Sequence, residues 1–297
     1  MVYTVTLNPA IDYVVKTPAL REGETNRAAA AEVQFGGKGI NVSCVLRELG
    51  VDTTALGFAA GFTGDALAAH LAARGVRADL IPLPEGLTRI NVKLKTDRGE
   101  TEINTPGPTI PPEALETLME KLDRLTEGDT LILAGSIPPS LPRDLYSRIM
   151  AELAGRNIRF VVDAEGPVLE AVLPYRPFLI KPNRAELEGL AGRPLLCEDD
   201  LREAASALRQ AGAVNVLVSL GGEGALLLDE FGVFHRAPAA DIRPVNTVGA
   251  GDSMVAGFVA GLARGYDDAL KLGIAAGGAT AASDGLADRE GILDLMK

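Results

Sequence analysis

The chain has 297 residues, and its 29 Lys and Arg against 40 Asp and Glu give a net charge of −11. Its 47% hydrophobic and 23% charged residues are typical of a globular protein with a large core, and they exclude a disordered or fibrous chain. Nucleic acids and membrane surfaces are polyanions, so the acidic balance argues against both as partners. A small anionic substrate would need a locally positive site.

The N-terminal residues 1–7 carry neither the basic region nor the long apolar core of a signal peptide. No apolar run reaches the roughly 18 residues that a membrane helix needs. The two cysteines, Cys44 and Cys197, form no CxxC pair and suggest neither a disulfide framework nor a zinc site. The sequence therefore predicts a cytoplasmic protein.

From about Gly36 onward, short apolar runs alternate with amphipathic segments. Near-continuous apolar runs are typical of strands covered on both faces of a parallel sheet, and they lie at 130–134, 160–162, 178–180 and 216–218. Apolar residues at i, i+3, i+4 and i+7 predict helices near 42–49 and 115–122. This order predicts an α/β fold with a three-layer α/β/α core, in one domain over residues 1–297.

Two stretches break the order. Alternation of apolar and polar residues predicts half-exposed strands at 11–16 and 90–95, which 100–104 and the segment before Gly36 can join. We interpret them as a small β-sheet lid over one end of the core, built from insertions at roughly 10–36 and 88–106. The second apolar face of such a sheet needs a covering partner, which favours a homodimer contact.

The glycine-rich segment Gly36-Gly-Lys-Gly-Ile-Asn41 opens the first amphipathic helix. Its glycines let the backbone approach a ligand, Lys38 adds a positive charge, and Asn41 offers two donors and an acceptor. The segment is not a P-loop, because Gly39 stands where Ser or Thr is needed. We interpret it as a ligand-binding turn, and a plain strand-to-helix turn with a solvated lysine is the alternative.

The segment Asn246-Thr-Val-Gly-Ala-Gly-Asp-Ser253 precedes an apolar helix. Small residues at Gly249, Ala250 and Gly251 would let free helix N–H groups surround an anion. Asp252, in the first helical turn, could take a proton from an attacking hydroxyl group. The alternative is a tight turn in which Asp252 only caps the helix.

Two further segments each follow a buried run. In Lys181-Pro-Asn-Arg-Ala-Glu186, Asn183 and Glu186 would share one helical face, and an amide with a carboxylate suits hydrated Mg²⁺. The alternative is a capping asparagine with a solvated glutamate. Ser219-Leu-Gly-Gly-Glu-Gly-Ala225 could form a flat backbone bed for a nucleotide, although glycine-rich β-turns are common.

In this order, these segments resemble the PfkB/ribokinase family of carbohydrate kinases over essentially the whole chain. Gly36 to Asn41 and Asn246 to Ser253 are similar to the two signatures of the family. The resemblance implies a ribokinase-like α/β core with a β-sheet lid, ATP as cosubstrate, Mg²⁺ as cofactor, and a homodimer through the lid sheet.

The resemblance also implies a role for individual residues. Asp252 would be the base, beside an anion hole of Gly249, Ala250 and Gly251. The sugar phosphate would be held by Asp12, Gly37, Lys38, Asn41, Arg89 and Ser136. The nucleotide would be held by Lys181, Asn183, Ser219, Gly221, Gly224, Thr247, Gly249 and Gly251. Asn183 and Glu186 would organise the metal, mostly through water.

The 6-phosphofructokinase members of the family place a glycine where Lys38 stands and a basic residue near Glu102. These departures favour another phosphorylated sugar. Within the family, segments 6–12, 88–93 and 162–166 are most similar to the members that act on fructose 1-phosphate, and this resemblance implies ATP-dependent phosphorylation of fructose 1-phosphate at its 6-hydroxyl. Tagatose 6-phosphate as the substrate, and a non-catalytic nucleotide or sugar-phosphate sensor, remain alternatives. We also expect acidic residues other than Asp12, Glu186 and Asp252 to lie mostly away from the cleft.

Overall fold

The computed structural model describes residues 1–297, which form thirteen strands and ten α-helices. The strands are β1 Val2–Thr6, β2 Ala10–Lys16, β3 Ala30–Gly36, β4 Thr53–Ala60, β5 Arg77–Leu83, β6 Arg89–Thr96, β7 Gly99–Ile103, β8 Thr130–Ala134, β9 Arg159–Asp163, β10 Leu179–Ile180, β11 Asn215–Ser219, β12 Ala225–Leu228 and β13 Phe234–Ala237. The helices are α1 Lys38–Glu48, α2 Gly61–Ala73, α3 Pro112–Leu122, α4 Leu145–Glu152, α5 Gly166–Val172, α6 Arg184–Ala191, α7 Glu198–Gln210, α8 Ala250–Gly261, α9 Tyr266–Ala281 and α10 Arg289–Asp294.

Nine strands form the central sheet, in the order β13-β12-β11-β10-β9-β8-β1-β4-β5. One apolar cluster packs helices α3 to α7 against one face of the sheet, and a second packs α1, α8, α9 and α10 against the other. The predicted three-layer core is therefore confirmed. The sheet is mixed and not wholly parallel, because β12 and β13 run antiparallel to their neighbours at one edge. No helix is long and apolar enough to cross a membrane.

The predicted lid strands form a separate four-stranded sheet in the order β3-β2-β6-β7. Successive side chains point to opposite faces, so the strand register assigns each residue to one face. Cross-strand rows such as Val33, Tyr13, Val92 and Ile103 make one face apolar. The opposite face is polar and contains Asp12, together with its neighbours on the other three strands, Gln34, Asn91, Lys93 and Glu102.

Burial in the lid is the reverse of an ordinary amphipathic sheet. The polar side chains of Asn91 and Lys93 are only 5% and 6% exposed, whereas Val33 and Ile103 of the apolar face are 51% and 60% exposed. Buried polar groups need partners, and the polar face supplies its own: Asp12 pairs with Asn91 and Lys93, and Lys93 also pairs with Glu102. This face turns toward the carboxyl edge of the central sheet. The apolar face lies bare on the outside.

Helix α1 lies very close to β1. A Cβ atom added to Gly39 would stand 2.6 Å from Thr6 Oγ1 and 2.8 Å from the Val5 carbonyl oxygen. Thr6 Oγ1 also accepts a hydrogen bond from the Ile40 backbone N–H at 2.9 Å. This contact places the first turn of α1, with Lys38, at the carboxyl end of β1.

We expect Gly39→Ala to destabilise the protein, because the new methyl group forces α1 away from β1. Overpacking of this kind costs about 1–3 kcal/mol in the free energy of unfolding, which urea denaturation measures. Gly189→Ala in α6 is the matched control, since nothing lies within 4 Å of the added Cβ. That change should stabilise by up to about 1 kcal/mol through helix propensity. Equal effects at the two glycines would contradict the close α1 to β1 contact.

Candidate active site

The site lies where the parallel strands β1, β8, β9, β10 and β11 end at one edge of the sheet, beneath the polar face of the lid. A cavity of about 380 Å³ opens there between the lid and the core. Five of the residues predicted to hold the sugar phosphate line it: Asp12, Gly37, Lys38, Arg89 and Ser136. The sixth, Asn41, lines a smaller neighbouring cavity of about 190 Å³ with Asp12.

A second cavity, of about 530 Å³, lies beside α8 and the turn between β11 and β12. Six predicted residues line it: Ser219, Gly221, Gly224, Thr247, Ala250 and Gly251. Its far wall is formed by the small residues Gly277 and Gly278 of α9 and by the loop around 239–244. Lys181, Asn183 and Gly249 border this region and are not among its lining residues. The turn after β11 is thus both a glycine-rich turn and a cavity wall.

Two helix N-termini enter the cleft without a side-chain cap. Gly37 precedes α1 at φ 127°, and Gly249 precedes α8 at φ 80°, a left-handed conformation that favours glycine. Uncapped N-termini leave N–H groups available to an anion, and the helix dipole favours negative charge there. The two glycine-rich segments therefore place two uncapped helix N-termini in the cleft.

Asp252 lies in the first turn of α8 and is 6% exposed. Asn41 Nδ2 donates a hydrogen bond to its Oδ2 at 2.8 Å, which joins the first turns of α1 and α8. Burial, and then the negative charge of Asp163, raise the pKa of Asp252 to about 6, although Asn41, Lys38 and Lys181 oppose the shift. A carboxylate with this pKa accepts a proton readily near neutral pH.

Asp163, at the end of β9, is the centre of a charge cluster. Lys38 Nζ lies 3.3 Å and Lys181 Nζ 3.6 Å from its Oδ1, and both Asp163 and Lys181 are buried. Burial alone would lower the pKa of Lys38, but the carboxylates of Asp163, Asp252 and Glu165 raise it above its ordinary value. Lys38 therefore stays charged. Asp163 Oδ2 is buried and has no hydrogen-bond partner.

The polar face of the lid carries a second charge network. Asn91 Nδ2 donates to Asp12 Oδ1 at 2.9 Å, and Lys93 Nζ lies 3.5 Å from Asp12 Oδ2 and 3.4 Å from Glu102 Oε1. Burial raises the pKa of Glu102, but its hydrogen bond from Asn104 and the charge of Lys93 lower it on balance. The Lys93 charge is thus already neutralised within the lid.

Arg89 differs from Lys93 because its charge is not satisfied. Its only hydrogen bond is a long one of 3.5 Å from Nη1 to the Thr105 carbonyl oxygen, and its Nε is buried without an acceptor. Burial lowers the pKa of Arg89 and Asp12 partly offsets this, yet a guanidinium group remains charged in proteins. A buried N–H without an acceptor in a cavity indicates a missing anionic partner.

Asn183 and Glu186 form a reciprocal capping box at the start of α6. Asn183 Oδ1 accepts from the Glu186 N–H at 2.9 Å, and Glu186 Oε2 accepts from the Asn183 N–H at 2.8 Å. The alternative reading as a helix cap is therefore correct for Asn183, and one Glu186 oxygen is left for water. No group of three or more His, Cys, Asp or Glu side chains is arranged to hold a metal ion.

The sequence interpretation missed several cleft residues. Asp163, Glu165 and Glu102 lie in or beside the cleft, so these three are exceptions to the expectation that the other acidic residues lie mostly away from it. The signal for Asp163 was its place directly after a buried run, the same position as Lys181. Lys93 and Asn91 were recognised as the polar side of a strand, but not as cleft residues.

Comparisons with known proteins agree with this geometry. Residues 2–290 match the family described as pfkB family carbohydrate kinase. The 1-phosphofructokinase of Bacillus subtilis is 42% identical, over 100% of this chain and 97% of that protein. A D-tagatose-1-phosphate kinase of Bacillus licheniformis is 38% identical, over 97% and 95% of the two chains.

Among solved structures, phosphofructokinase-2 of Escherichia coli, in complex with substrates and products, superposes with a TM-score of 0.93. It is 30% identical, and the match covers 99% of this chain and 97% of that one. A family match over nearly the whole chain, with relatives of this identity over full length, accounts for the core, the lid and the two uncapped helix N-termini together. The chain belongs to the pfkB family of carbohydrate kinases.

Proposed function

We propose that this kinase transfers the γ-phosphoryl group of ATP to the 6-hydroxyl of fructose 1-phosphate, giving fructose 1,6-bisphosphate and ADP. One observation carries the proposal. Only two buried side-chain nitrogen or oxygen atoms lack a hydrogen-bond partner, Arg89 Nε and Asp163 Oδ2, and both belong to the cleft. An unpartnered cation at one end fits a sugar that already carries a phosphate.

The sugar-phosphate end of the cleft supplies two cations and a hydroxyl group for the phosphate. Arg89 and Lys38 would bind the phosphate together with Ser136, since all three line the same cavity. Asp12 is already oriented by Asn91 and Lys93, so its carboxylate would accept from sugar hydroxyls. The sugar is then held at its phosphate end, with its far hydroxyl directed toward α8.

The proton of that hydroxyl would pass to Asp252. Asn41 holds one carboxylate oxygen of Asp252 and leaves the other free to act as the base. The uncapped N-terminus of α8, with Gly249, Ala250 and Gly251, would stabilise the negative charge on the transferring group. The transition state of phosphoryl transfer is loose, so the protein contributes mainly positioning and charge neutralisation.

The nucleotide would occupy the cavity of about 530 Å³ beside α8. Ser219, Gly221, Gly224 and Thr247 would contact it largely through the backbone, and Lys181 would approach its phosphates. A Cβ atom at Gly251 would stand 3.3 Å from Lys181 Nζ, so glycine is the residue that keeps the lysine and the helix end together.

The residues present fit a hydrated Mg²⁺ ion. The fit rests on the unpartnered Asp163 Oδ2, a buried acidic oxygen, and on the second carboxylate oxygen of Glu186, whose partner oxygen is used in the helix cap. When bound, Mg²⁺ supplies charge neutralisation at the nucleotide phosphates. Asn183 would contribute by holding Glu186 in place and not as a ligand through Oδ1.

The names of the relatives narrow the choice of sugar. Two of the relatives named above act, by name, on a 1-phosphorylated fructose acceptor and on D-tagatose 1-phosphate. Both names place the existing phosphate on the first carbon, which favours fructose 1-phosphate over tagatose 6-phosphate. A non-catalytic sensor is disfavoured because Asp252 and the uncapped α8 N-terminus are intact.

A coupled assay of ADP release decides the substrate. We expect kcat/KM to be highest for fructose 1-phosphate, compared with tagatose 1-phosphate, tagatose 6-phosphate, fructose 6-phosphate and ribose. The cation pair, which needs a phosphate at the end of the sugar away from the reacting hydroxyl, disfavours ribose, and the similarity to relatives named 1-phosphofructokinase favours fructose 1-phosphate among the sugar phosphates. A higher value for another sugar phosphate would replace the proposed substrate, and no ADP from any sugar would favour the sensor.

Arg89→Ala should chiefly raise the KM for the sugar phosphate. A charge-assisted hydrogen bond contributes about 1.5–3 kcal/mol, which corresponds to roughly a 10- to 150-fold change. Steady-state kinetics with each substrate varied in turn measures the effect. Arg98→Ala, in the exposed turn between β6 and β7, is the control and should leave both KM values unchanged. A raised KM for ATP with an unchanged sugar KM would reverse the assignment of the two cavities.

The kcat/KM for fructose 1-phosphate should rise with pH through an acid limb near pH 6, where Asp252 loses its proton. Asp163→Asn should move this midpoint to lower pH, because it removes a negative charge that opposes ionisation of Asp252. The ionisation of the substrate phosphate is common to both enzymes, so their difference isolates Asp252. Asp252→Asn should lower kcat by about 10² or more while ATP binding persists. If Asp163→Asn does not change the midpoint of the acid limb, the proposed electrostatic effect of Asp163 on Asp252 is contradicted.

The proposed partner of the lid is a second copy of this chain. Its bare face carries a continuous row of apolar side chains across all four strands, from Val33 through Tyr13 and Val92 to Ile103. Exposed apolar faces of this extent mark protein contacts, and a self-complementary sheet face suits a two-fold dimer.

Val33→Glu should convert the dimer to a monomer, because a carboxylate on each copy would be buried at the contact. Sedimentation velocity measures the change. Phe231→Glu is the control, since Phe231 is 76% exposed but lies in the turn between β12 and β13, outside the lid. A monomeric wild-type protein, or a dimer that survives Val33→Glu, would contradict the lid contact.

A further inference from the structure

One backbone carbonyl joins the lid to the turn that precedes α8. The Asp284 carbonyl oxygen, in the loop between α9 and α10, accepts a hydrogen bond from Gln34 Nε2 at 2.9 Å. It accepts a second, also at 2.9 Å, from Asn246 Nδ2. Gln34 belongs to β3 of the lid, and Asn246 begins the glycine-rich turn. Two segments that take part in different halves of the site therefore share a single acceptor.

Each end of this link lies next to a residue of the proposed site. Gln34 is the direct cross-strand partner of Asp12 in the β2 to β3 register. Asn246 is buried, and its Oδ1 accepts from the Val248 N–H at 3.1 Å, one residue before Gly249. Both halves of the Asn246 amide are thus used, so its position follows that of the Asp284 carbonyl.

The loop that carries Asp284 also lies against Gly249. A Cβ atom at Gly249 would lie 2.8 Å from Leu286 Cδ2, so the leucine side chain of this loop packs at the start of α8 in the space that glycine leaves. Lys16 Nζ approaches the Asp284 carboxylate at 3.9 Å, but both groups are largely exposed and such pairs contribute little. The Gln34 hydrogen bond is the specific contact from the lid to this loop.

We propose that Gln34 is a positioning residue that makes the anion hole at Gly249 to Gly251 respond to the position of the lid. The inference rests on the proposed function, because it assigns closure of the lid to the sugar phosphate. When the lid closes on the sugar through Asp12, Gln34 moves with β3 and shifts the Asp284 carbonyl group. Asn246, which is bonded to the same carbonyl, then sets the conformation of the turn before α8. Sugar phosphate and nucleotide therefore strengthen each other's binding through this link, without touching it.

The test compares wild type with Gln34→Leu, which keeps the size of the side chain and removes the donor. Calorimetry measures the Kd of a non-hydrolysable ATP analogue, with Mg²⁺, in the absence and presence of saturating fructose 1-phosphate. We expect the sugar phosphate to tighten analogue binding in wild type. Loss of one hydrogen bond should reduce this enhancement by about 2- to 12-fold and lower kcat by a similar factor. The Kd of the analogue alone and the Kd of fructose 1-phosphate alone should stay unchanged, because coupling appears only when both ligands are bound.

Glu32→Gln is the matched control, because Glu32 lies two residues away on the same face of β3 and contacts only Lys16 among charged groups. It should retain the full enhancement. Asn246→Asp is the second variant: it keeps the acceptor for the Val248 N–H, removes the donor to Asp284, and should lose the enhancement as Gln34→Leu does. Circular dichroism and the Tm identify any variant that fails to fold.

The proposal is overturned if folded Gln34→Leu keeps the wild-type enhancement, if Glu32→Gln loses as much as Gln34→Leu, or if wild type shows no enhancement. The proposed function fails separately, when wild-type protein releases no ADP with fructose 1-phosphate. If the wild type is active and Gln34→Leu has no effect, the coupling role of Gln34 is refuted and the kinase assignment stands.

Discussion

The contact of two lysine ammonium groups with the carboxylate of Asp163 is the interaction on which the cleft depends. It joins the end of β9, the residue after β10 and the first turn of α1 at a single point. Ions buried in this way lose hydration, and only their mutual attraction offsets that cost. Removing the carboxylate would leave two cations facing each other. Asp163 also adds to the effect of burial in raising the pKa of Asp252, so one side chain contributes both to the shape of the cleft and to its acid–base chemistry.

The same electrostatic balance resolves how a chain of net charge −11 can bind a small anion. Positive charge is concentrated at the carboxyl edge of the sheet, in Lys38, Arg89, Lys93 and Lys181, together with two helix N-termini. Most of these cations are already paired with carboxylates inside the cleft. Arg89 is the exception, and its unpartnered Nε shows where the excess positive charge lies. Net charge describes the outer surface, whereas ligand selection depends on the few groups left unpaired.

Patterns that depend on local spacing were readable from the sequence. Buried apolar runs gave β8 and β11 closely, and alternation identified both lid segments and their two faces. What spacing cannot show is which face turns inward. Here the charged face is the buried one, and its charged and amide groups are paired with one another within the lid. Asp163 was overlooked for a related reason: a lone carboxylate after a strand becomes significant only when Lys38, 125 residues away, is seen to reach it. The antiparallel strands β12 and β13 were missed because the apolar pattern of a short strand does not show whether it runs parallel or antiparallel to its neighbour.

The lid has one further consequence, which concerns the order of folding. Its central pair, β2 and β6, joins Asp12 to Asn91 in a parallel register, although the two partners are 79 positions apart in the chain and α1, β4, α2 and β5 lie between them in addition to β3. Closing such a long loop carries an entropic cost that neither lid strand can offset alone. These two helices and the strands β4 and β5 belong to the central core, and their packing brings the ends together. The lid sheet therefore completes late, on a core that is already formed, and the sugar-phosphate pocket is among the last parts of the molecule to acquire its shape.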